Sequence, residues 1–158
     1  MCNFLKSICF IGAIIFQCNL SAQVFDPILS GYVESFQYEA RIRGINHFNF
    51  LKCVKFPTYT EDSVFEISKQ KPAGWDGVAI FYESGDILVF INRIAFDNSD
   101  EFGKEMIVYH ELFHAYFNYP HVPGCLMMKE EKITSADAAF YRNNKKKVLD
   151  QVFNRIRK

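Results

Sequence analysis

The sequence lacks an excess of charge of either sign. Its 18 Lys and Arg residues are balanced by 18 Asp and Glu residues, so the formal net charge at pH 7 is zero. A strong net field is what draws a protein to nucleic acid or to an acidic membrane surface. The composition therefore gives no reason to expect a nucleic-acid partner, and charge alone identifies no other partner.

The chain also lacks internal repeats and low-complexity linkers, and it is short for two domains. Of its 158 residues, 49% are hydrophobic and 16% are aromatic. This supply of large apolar side chains is enough to bury one core. We therefore expect a single compact domain and a monomer.

No stable membrane span is expected, because the apolar run Ile8–Phe16 is well short of the roughly 20 residues that cross a bilayer. The run lies in a segment whose only charge is Lys6 and which ends in small residues at Ser21-Ala22. A short basic start, an apolar middle and a small-residue cleavage site are typical of a secretory signal peptide. Residues 1–22 are thus predicted to be removed, and the domain 23–158 to be exported to the periplasm or secreted. Lipid attachment at Cys18 is the alternative.

Cysteine is scarce once that segment is set aside. Three of the five cysteines lie within residues 1–22, which leaves Cys53 and Cys125 in the exported domain. In an oxidising compartment the two could form a disulfide. Cysteine is also often a small buried hydrophobe, so two buried thiols are the other interpretation.

The first half of the domain predicts one helix and one strand. Apolar residues recur at helical spacing from Asp26 to Arg43, and Gly44 follows as a stop. Residues 45–56 alternate loosely between apolar and polar and end at Pro57, as a strand does. The following stretch, 58–75, is expected to be mostly loop, with a possible strand at Val64–Ile67.

The second half predicts a hairpin and two helices. The β-rich runs Gly77–Tyr82 and Asp86–Asn92 are separated by Glu83-Ser84-Gly85, which is hairpin spacing. Asn98 is the expected cap of the next helix, which should end near Asn118 because Pro120 follows. A final helix is expected to begin at a cap formed by Thr134 or Ser135.

Histidine is rare in this chain, and its placement is informative. Three of the four histidines fall within twelve residues, two of them in the pentapeptide His110-Glu111-Leu112-Phe113-His114. Residues four apart on a helix are offset by only about 40° and rise by about 6 Å, so His110 and His114 can share one metal ion. The fourth histidine, His47, stands alone and is interpreted as structural or exposed.

The same pentapeptide supplies a base. Zinc lowers the pKa of a bound water to about 7, and Glu111, about 100° round the helix from His110, can take that proton and pass it to a leaving amine. The pattern therefore predicts a Zn²⁺ cofactor and metal-assisted hydrolysis of an amide, with a peptide or protein as substrate. Tyrosines at 109, 116, 119 and 141 could each help to stabilise the oxyanion, and the sequence does not distinguish them.

A catalytic zinc site usually has three protein ligands, so the helical pair needs a third. His121 is the first candidate, because it follows the proline that ends the helix and a reversed chain could bring its ring back to the pair. Downstream carboxylates at Glu130, Glu131 and Asp137 are the alternatives.

The HExxH pentapeptide, a third histidine beyond the helix and Cys125-Leu126-Met127 together resemble the zincin metallopeptidases, and in particular small exported bacterial metallopeptidases that place a methionine turn beneath the metal. The match runs from about Ile87 to Met128, with a looser one over Tyr32–Gly44. By this resemblance Met127 would lie beneath the zinc site. Ile87–Asn92 would be the edge strand along which zincins pair an extended peptide.

The resemblance implies an α+β, zincin-like domain. An N-terminal helix would back a small twisted sheet, the active-site helix would lie beneath the sheet, and the last helix would complete a short lower part. The implied activity is that of a zinc metallopeptidase with Glu111 as general base. The chain departs from the family at Phe113, where many relatives have glycine. Because a bulky side chain there could block the cleft, an exported binding or structural module with a non-catalytic zinc site is the alternative.

Overall fold

The computed structural model describes residues 23–57, 76–129 and 132–158. The predicted signal peptide, Cys18 and the possible strand Val64–Ile67 lie outside the described residues, as do the alternative ligands Glu130 and Glu131. Between Cys53 and Cys125 there is no disulfide, and both side chains are buried. Among the described residues, no helix has the length and hydrophobicity needed to cross a membrane.

The sheet has four short strands: β1 (Val24–Phe25), β2 (Cys53–Lys55), β3 (Gly77–Phe81) and β4 (Ile87–Ile91). Their spatial order is β1-β2-β4-β3, with β1, β2 and β4 parallel and β3 antiparallel to β4. Together with the four α-helices of the described residues the sheet makes an α+β fold, as expected from the sequence. The strand predicted over residues 45–56 is confined to its last part, β2.

The expectation that Ile87–Asn92 forms the edge strand is wrong. This segment contains β4, which pairs with β2 on one side and with β3 on the other. Four of the five β4 side chains are buried, as is usual for a central strand covered on both faces. Among the described residues, β3 is therefore the outer strand at this side of the sheet.

Helix α1 (Pro27–Arg41) follows β1 directly. The Asp26 carboxylate accepts from the Ile28 backbone N–H at 2.8 Å, and Pro27 occupies the first turn, where its missing N–H costs nothing. The buried face consists of residues spaced three or four apart: Leu29, Val33, Phe36 and Ala40. The predicted amphipathic helix is thus present, and its apolar face packs into the core.

A short helix that the sequence did not predict, α2 (Arg93–Asp97), separates β4 from the long central helix α3 (Glu101–Phe117). Asn98, the predicted cap of the central helix, instead ends α2. Asp100 is the residue that caps α3, through its carboxylate and the Gly103 N–H at 2.8 Å. Both residues are suitable caps, and the extra turn of α2 moves the start of α3 by two positions.

Helix α3 lies at the centre of the domain. It contacts β3 and β4 on one side and α1 and the C-terminal helix α4 (Ser135–Ile156) on the other. Phe113 is fully buried on the helical side, with its ring centroid 4.8 Å from that of Phe36 and 4.9 Å from that of Phe153. Its bulk therefore fills the core between three helices and does not enter the face of α3 that carries the histidines.

The start of α4 is fixed by the capping residue expected from the sequence. Thr134 accepts from the Asp137 N–H, and the Asp137 carboxylate accepts from the Thr134 N–H at 2.8 Å, which closes a capping box. Before it, a 3₁₀ helix at Leu126–Met128 contacts both α3 and α4. This turn brings Met127 beside the histidines of α3.

Candidate metal centre

His110, His114 and His121 converge on one point. Each of the three Nε2···Nε2 separations, between His110 and His114, His114 and His121, and His110 and His121, is 3.1 Å. The first two rings project from successive turns of α3, as their spacing predicts, and the third comes from the segment that follows the helix. The three side chains are thus close enough to hold a metal ion.

Backbone carbonyls fix the orientation of the two helical rings. His110 Nδ1 lies 2.7 Å from the Met127 carbonyl oxygen, and His114 Nδ1 lies 2.6 Å from the Tyr119 carbonyl oxygen. A carbonyl oxygen only accepts, so each Nδ1 carries the ring proton and donates it. In the neutral imidazole the Nε2 lone pair is then left facing the point of convergence, which is the usual arrangement of a metal-ligating histidine.

The spacing of the three nitrogens fits a small divalent cation. Tetrahedral ligands at about 2.0–2.1 Å from zinc lie about 3.3 Å from one another. The observed 3.1 Å is close to that value. Lone pairs facing each other at this distance repel unless a cation or a proton lies between them. The donor set, its spacing and its tautomers therefore fit a metal ion.

A chain reversal after α3 brings in the third imidazole. Asn118 ends the helix in the left-handed conformation, with φ 48° and ψ 38°. Beyond His121, the Val122 N–H donates to the Met128 carbonyl at 2.8 Å, which ties this segment to the 3₁₀ turn. Of the alternative ligands, Asp137 is engaged elsewhere, with its carboxylate 2.5 Å from Lys129 Nζ.

Glu111 projects toward the sheet, next to the histidines. Only 5% of it is exposed. Its side chain lies against the backbone of Gly77, the first residue of β3, where an added Cβ would come within 2.5 Å of Glu111 Cγ. Gly77 is therefore a positioning residue for the carboxylate. No local sequence pattern identifies this role, because the contact joins two residues that lie 34 positions apart.

The strand that begins at Gly77 is anchored by its preceding residue. Asp76 accepts from the Ile133 N–H at 2.8 Å, which joins the start of β3 to the segment that leads into α4. Burial raises the pKa of the Asp76 carboxyl, and this hydrogen bond together with Lys132 and Lys129 acts in the opposite direction. The Ile133 hydrogen bond thus ties the start of β3, which lies next to Glu111, to the segment before α4.

A cleft of about 470 Å³ opens over the histidines and Glu111. Its walls come from the outer strand β3 and from the turn after α3. The residues that line it, besides the three histidines and Glu111, are Val78, Ala79, Phe81, Asn118, Tyr119 and Pro120. The three predicted ligands and Glu111 thus line one concave surface, while His47 is exposed in the segment between α1 and β2.

The structure separates the four tyrosines considered as oxyanion donors. Three of them are buried and hydrogen-bond to side chains of other helices: Tyr109, Tyr116 and Tyr141. Burial raises the pKa of each of these three hydroxyls. Tyr119 is the one of the four that lines the cleft.

Met127 contacts the site through its backbone. Its side chain is completely buried, and its carbonyl oxygen is the group that holds His110. Any residue at this position could supply that carbonyl, so the hydrogen bond itself does not require methionine.

Comparisons of the chain with protein-family models, with curated proteins and with solved structures found no match.

Proposed function

We propose that this protein is a zinc-dependent metallopeptidase of zincin-like architecture. The observation that carries the proposal is a set of three imidazole nitrogens spaced 3.1 Å apart, with a buried glutamate next to the first ligand and an open cleft above them. A site that binds zinc only for stability is normally closed by a fourth protein ligand. Among the described residues, three ligand groups form this cluster.

Zinc is the ion that the donor set favours. Three neutral imidazoles suit zinc, which tolerates a three-ligand site with one open position. When bound, zinc supplies Lewis acidity, which polarises a carbonyl oxygen and makes water a stronger acid. The carbonyls of Met127 and Tyr119 orient the rings of His110 and His114 for this role.

Glu111 is assigned the proton transfers. Its carboxylate lies in the cleft beside His110 and is largely shielded from solvent, so it can accept a proton from the attacking water and deliver it to the leaving amine. Gly77 leaves the space that keeps this carboxylate between α3 and β3. Tyr119, at the opposite wall, is the tyrosine placed to contact the substrate.

The geometry of the outer strand β3 supports the proposal that the substrate is a peptide. Hydrogen bonds between Asn92 N–H and Asp76 O and between Tyr82 N–H and Asp86 O, both 2.9 Å, set the register of the hairpin. Because bonded pairs alternate in an antiparallel ladder, the backbone groups of Gly77, Ala79 and Phe81 point away from β4. An extended peptide can add to these groups as a further strand, which places its amide bonds along the cleft.

The wider arrangement agrees with the zincin-like proposal. Helix α3 carries His110 and His114 beneath the sheet, and the 3₁₀ turn at Leu126–Met128 lies against His110. We assign Met127 to the methionine turn of that architecture. The signal-like segment 1–22 leads us to place the activity outside the cytoplasm, on the domain 23–158.

The test combines metal analysis with one substitution. The purified protein is expected to contain one zinc per chain and to cleave members of a peptide library. Glu111→Gln should keep the zinc and the fold but lower kcat by about 10²–10⁴-fold, because the proton acceptor is lost. Glu101→Gln, the same change at an exposed position of the same helix, should leave kcat within about twofold of the unsubstituted protein.

Two outcomes would contradict the proposal. Protein without stoichiometric zinc would show that the histidines do not form a metal site. Zinc-loaded protein that cleaves no peptide, with or without Glu111, would leave the exported binding or structural module with a non-catalytic zinc as the function.

A further inference from the structure

One large apolar side chain stands exposed at the mouth of the cleft. Phe81, the last residue of β3, is 46% exposed and yet lines the cleft. A half-exposed phenylalanine that borders a concave site is a common binding contact, because a partner can cover apolar surface that water otherwise contacts.

The strand fixes where Phe81 lies relative to the proposed chemistry. Gly77, Ala79 and Phe81 share one face of β3, and Gly77 contacts Glu111. At about 3.3 Å per residue, Phe81 is about 13 Å along the strand from Gly77. A peptide added to this edge would place beside Phe81 a residue about four positions from the one beside Gly77.

The chemistry of the walls selects the kind of side chain. Apart from the histidines and Glu111, the described residues that line the cleft are uncharged, and on the β3 side they are Val78, Ala79 and Phe81. A charged substrate side chain would lose hydration there without gaining an ionic partner, whereas an apolar one would gain contact with the ring.

We propose that Phe81 determines specificity by binding an apolar or aromatic substrate side chain at the mouth of the cleft. The preferred substrates are then extended peptides of about five residues or more, with an apolar residue about four positions from the one beside Gly77. This inference rests on the proposed function for its substrate class.

The experiment measures binding separately from cleavage. Uncharged Ala/Gln heptapeptides, each with one Phe moved to a successive position, are titrated calorimetrically into zinc-loaded Glu111→Gln protein. One position of Phe should raise affinity about tenfold over the peptide without Phe, which corresponds to about 1.4 kcal/mol, within the range of an aromatic contact of this kind. The same position should raise kcat/KM in the unsubstituted protein.

Introducing a negative charge at Phe81 gives the decisive comparison. Phe81→Asp should abolish the preference for Phe and create one for Lys at the same peptide position. A misfolded variant could not acquire a preference for Lys at this position. Phe140→Asp, at a Phe that is 50% exposed on α4, should keep the original preference.

An affinity that does not depend on the position of Phe, or a preference that survives Phe81→Asp, would overturn the inference. Absence of cleavage by the unsubstituted protein would instead overturn the proposed function, since peptide binding to the Glu111→Gln protein is measured without catalysis.

Discussion

At the scale of single residues, the contact between Gly77 and Glu111 is the least tolerant part of the site. We predict that Gly77→Ala lowers kcat/KM by about 10²-fold, because a methyl group 2.5 Å from Glu111 Cγ must displace the carboxylate or the strand. The same overpacking should cost about 1–3 kcal/mol of unfolding free energy. Zinc content should stay at one per chain, since the three ligands are untouched.

Gly31→Ala is the matched control for this prediction. An added Cβ at Gly31 meets nothing within 4 Å, and the residue lies on the exposed side of α1. Alanine there should raise stability by about 0.5–1 kcal/mol and leave kcat/KM unchanged. Peptidase kinetics, metal analysis and thermal unfolding of both variants check the prediction, and full activity of Gly77→Ala would contradict it.

The residues that sequence reasoning identified are those whose geometry is local. His110 and His114 face one way because a helix turns by a fixed angle, so their spacing alone places both rings. Convergence of His121 depends on the turn at Asn118 and on the 3₁₀ segment, and the sequence supplied only a candidate there. Gly77 and the two carbonyl acceptors could not be found, since each acts across elements whose packing no local pattern specifies.

At the scale of elements, the turn after α3 determines where His121, the third ligand, and the Tyr119 carbonyl lie. Asn118 has φ 48°, a conformation that glycine and asparagine adopt readily and β-branched residues resist. We predict that Asn118→Gly preserves zinc affinity. Asn118→Val should cost about 1–2 kcal/mol and weaken zinc binding about tenfold, because the Tyr119 carbonyl that orients His114 moves.

Competitive zinc titration and thermal unfolding measure these effects. Asn143→Val, at an exposed position of α4, is the control and should change neither the zinc affinity nor the stability by more than about 0.5 kcal/mol. Equal zinc affinity in the Asn118→Gly and Asn118→Val proteins would show that this turn does not position the ligands.

The errors at the element scale have a common physical cause. The sequence predicted three helices, α1, α3 and α4, because each carries its own apolar periodicity and end signals. It predicted the hairpin because two β-rich runs are separated by a short turn. The order of strands was not, because β2 contributes only three residues and pairs with β4 over a long separation in sequence. The run Ile-Leu-Val-Phe-Ile, apolar at every position, was the available sign that β4 is central.

At the scale of the whole molecule, buried tyrosines join the helices around α3. Tyr109 of α3 bonds to Ser35 of α1 at 2.9 Å, and Tyr141 of α4 bonds to Glu105 of α3 at 2.5 Å. Burial raises the pKa of both hydroxyls above the ordinary value near 10. In the folded protein both therefore keep their protons at pH values where an unfolded chain releases them.

This difference predicts alkaline destabilisation. Above about pH 10 the native state binds more protons than the unfolded state, so unfolding free energy falls as pH rises, by up to about 1.4 kcal/mol per pH unit for each such tyrosine. Below about pH 10 the contribution of both groups is complete. Tyr141→Phe should reduce the slope above pH 10, as measured by urea unfolding at a series of pH values, and an unchanged slope would contradict the assignment.

His121 differs from the other two ligands in being exposed and in belonging to neither a helix nor a strand. Small local openings of this segment can release one imidazole while α3 keeps the remaining pair in place. Exchange of the ion with the surrounding medium can therefore proceed without unfolding of the domain. On the proposed export route, a folded chain that arrives without its ion could therefore still acquire it outside the cell.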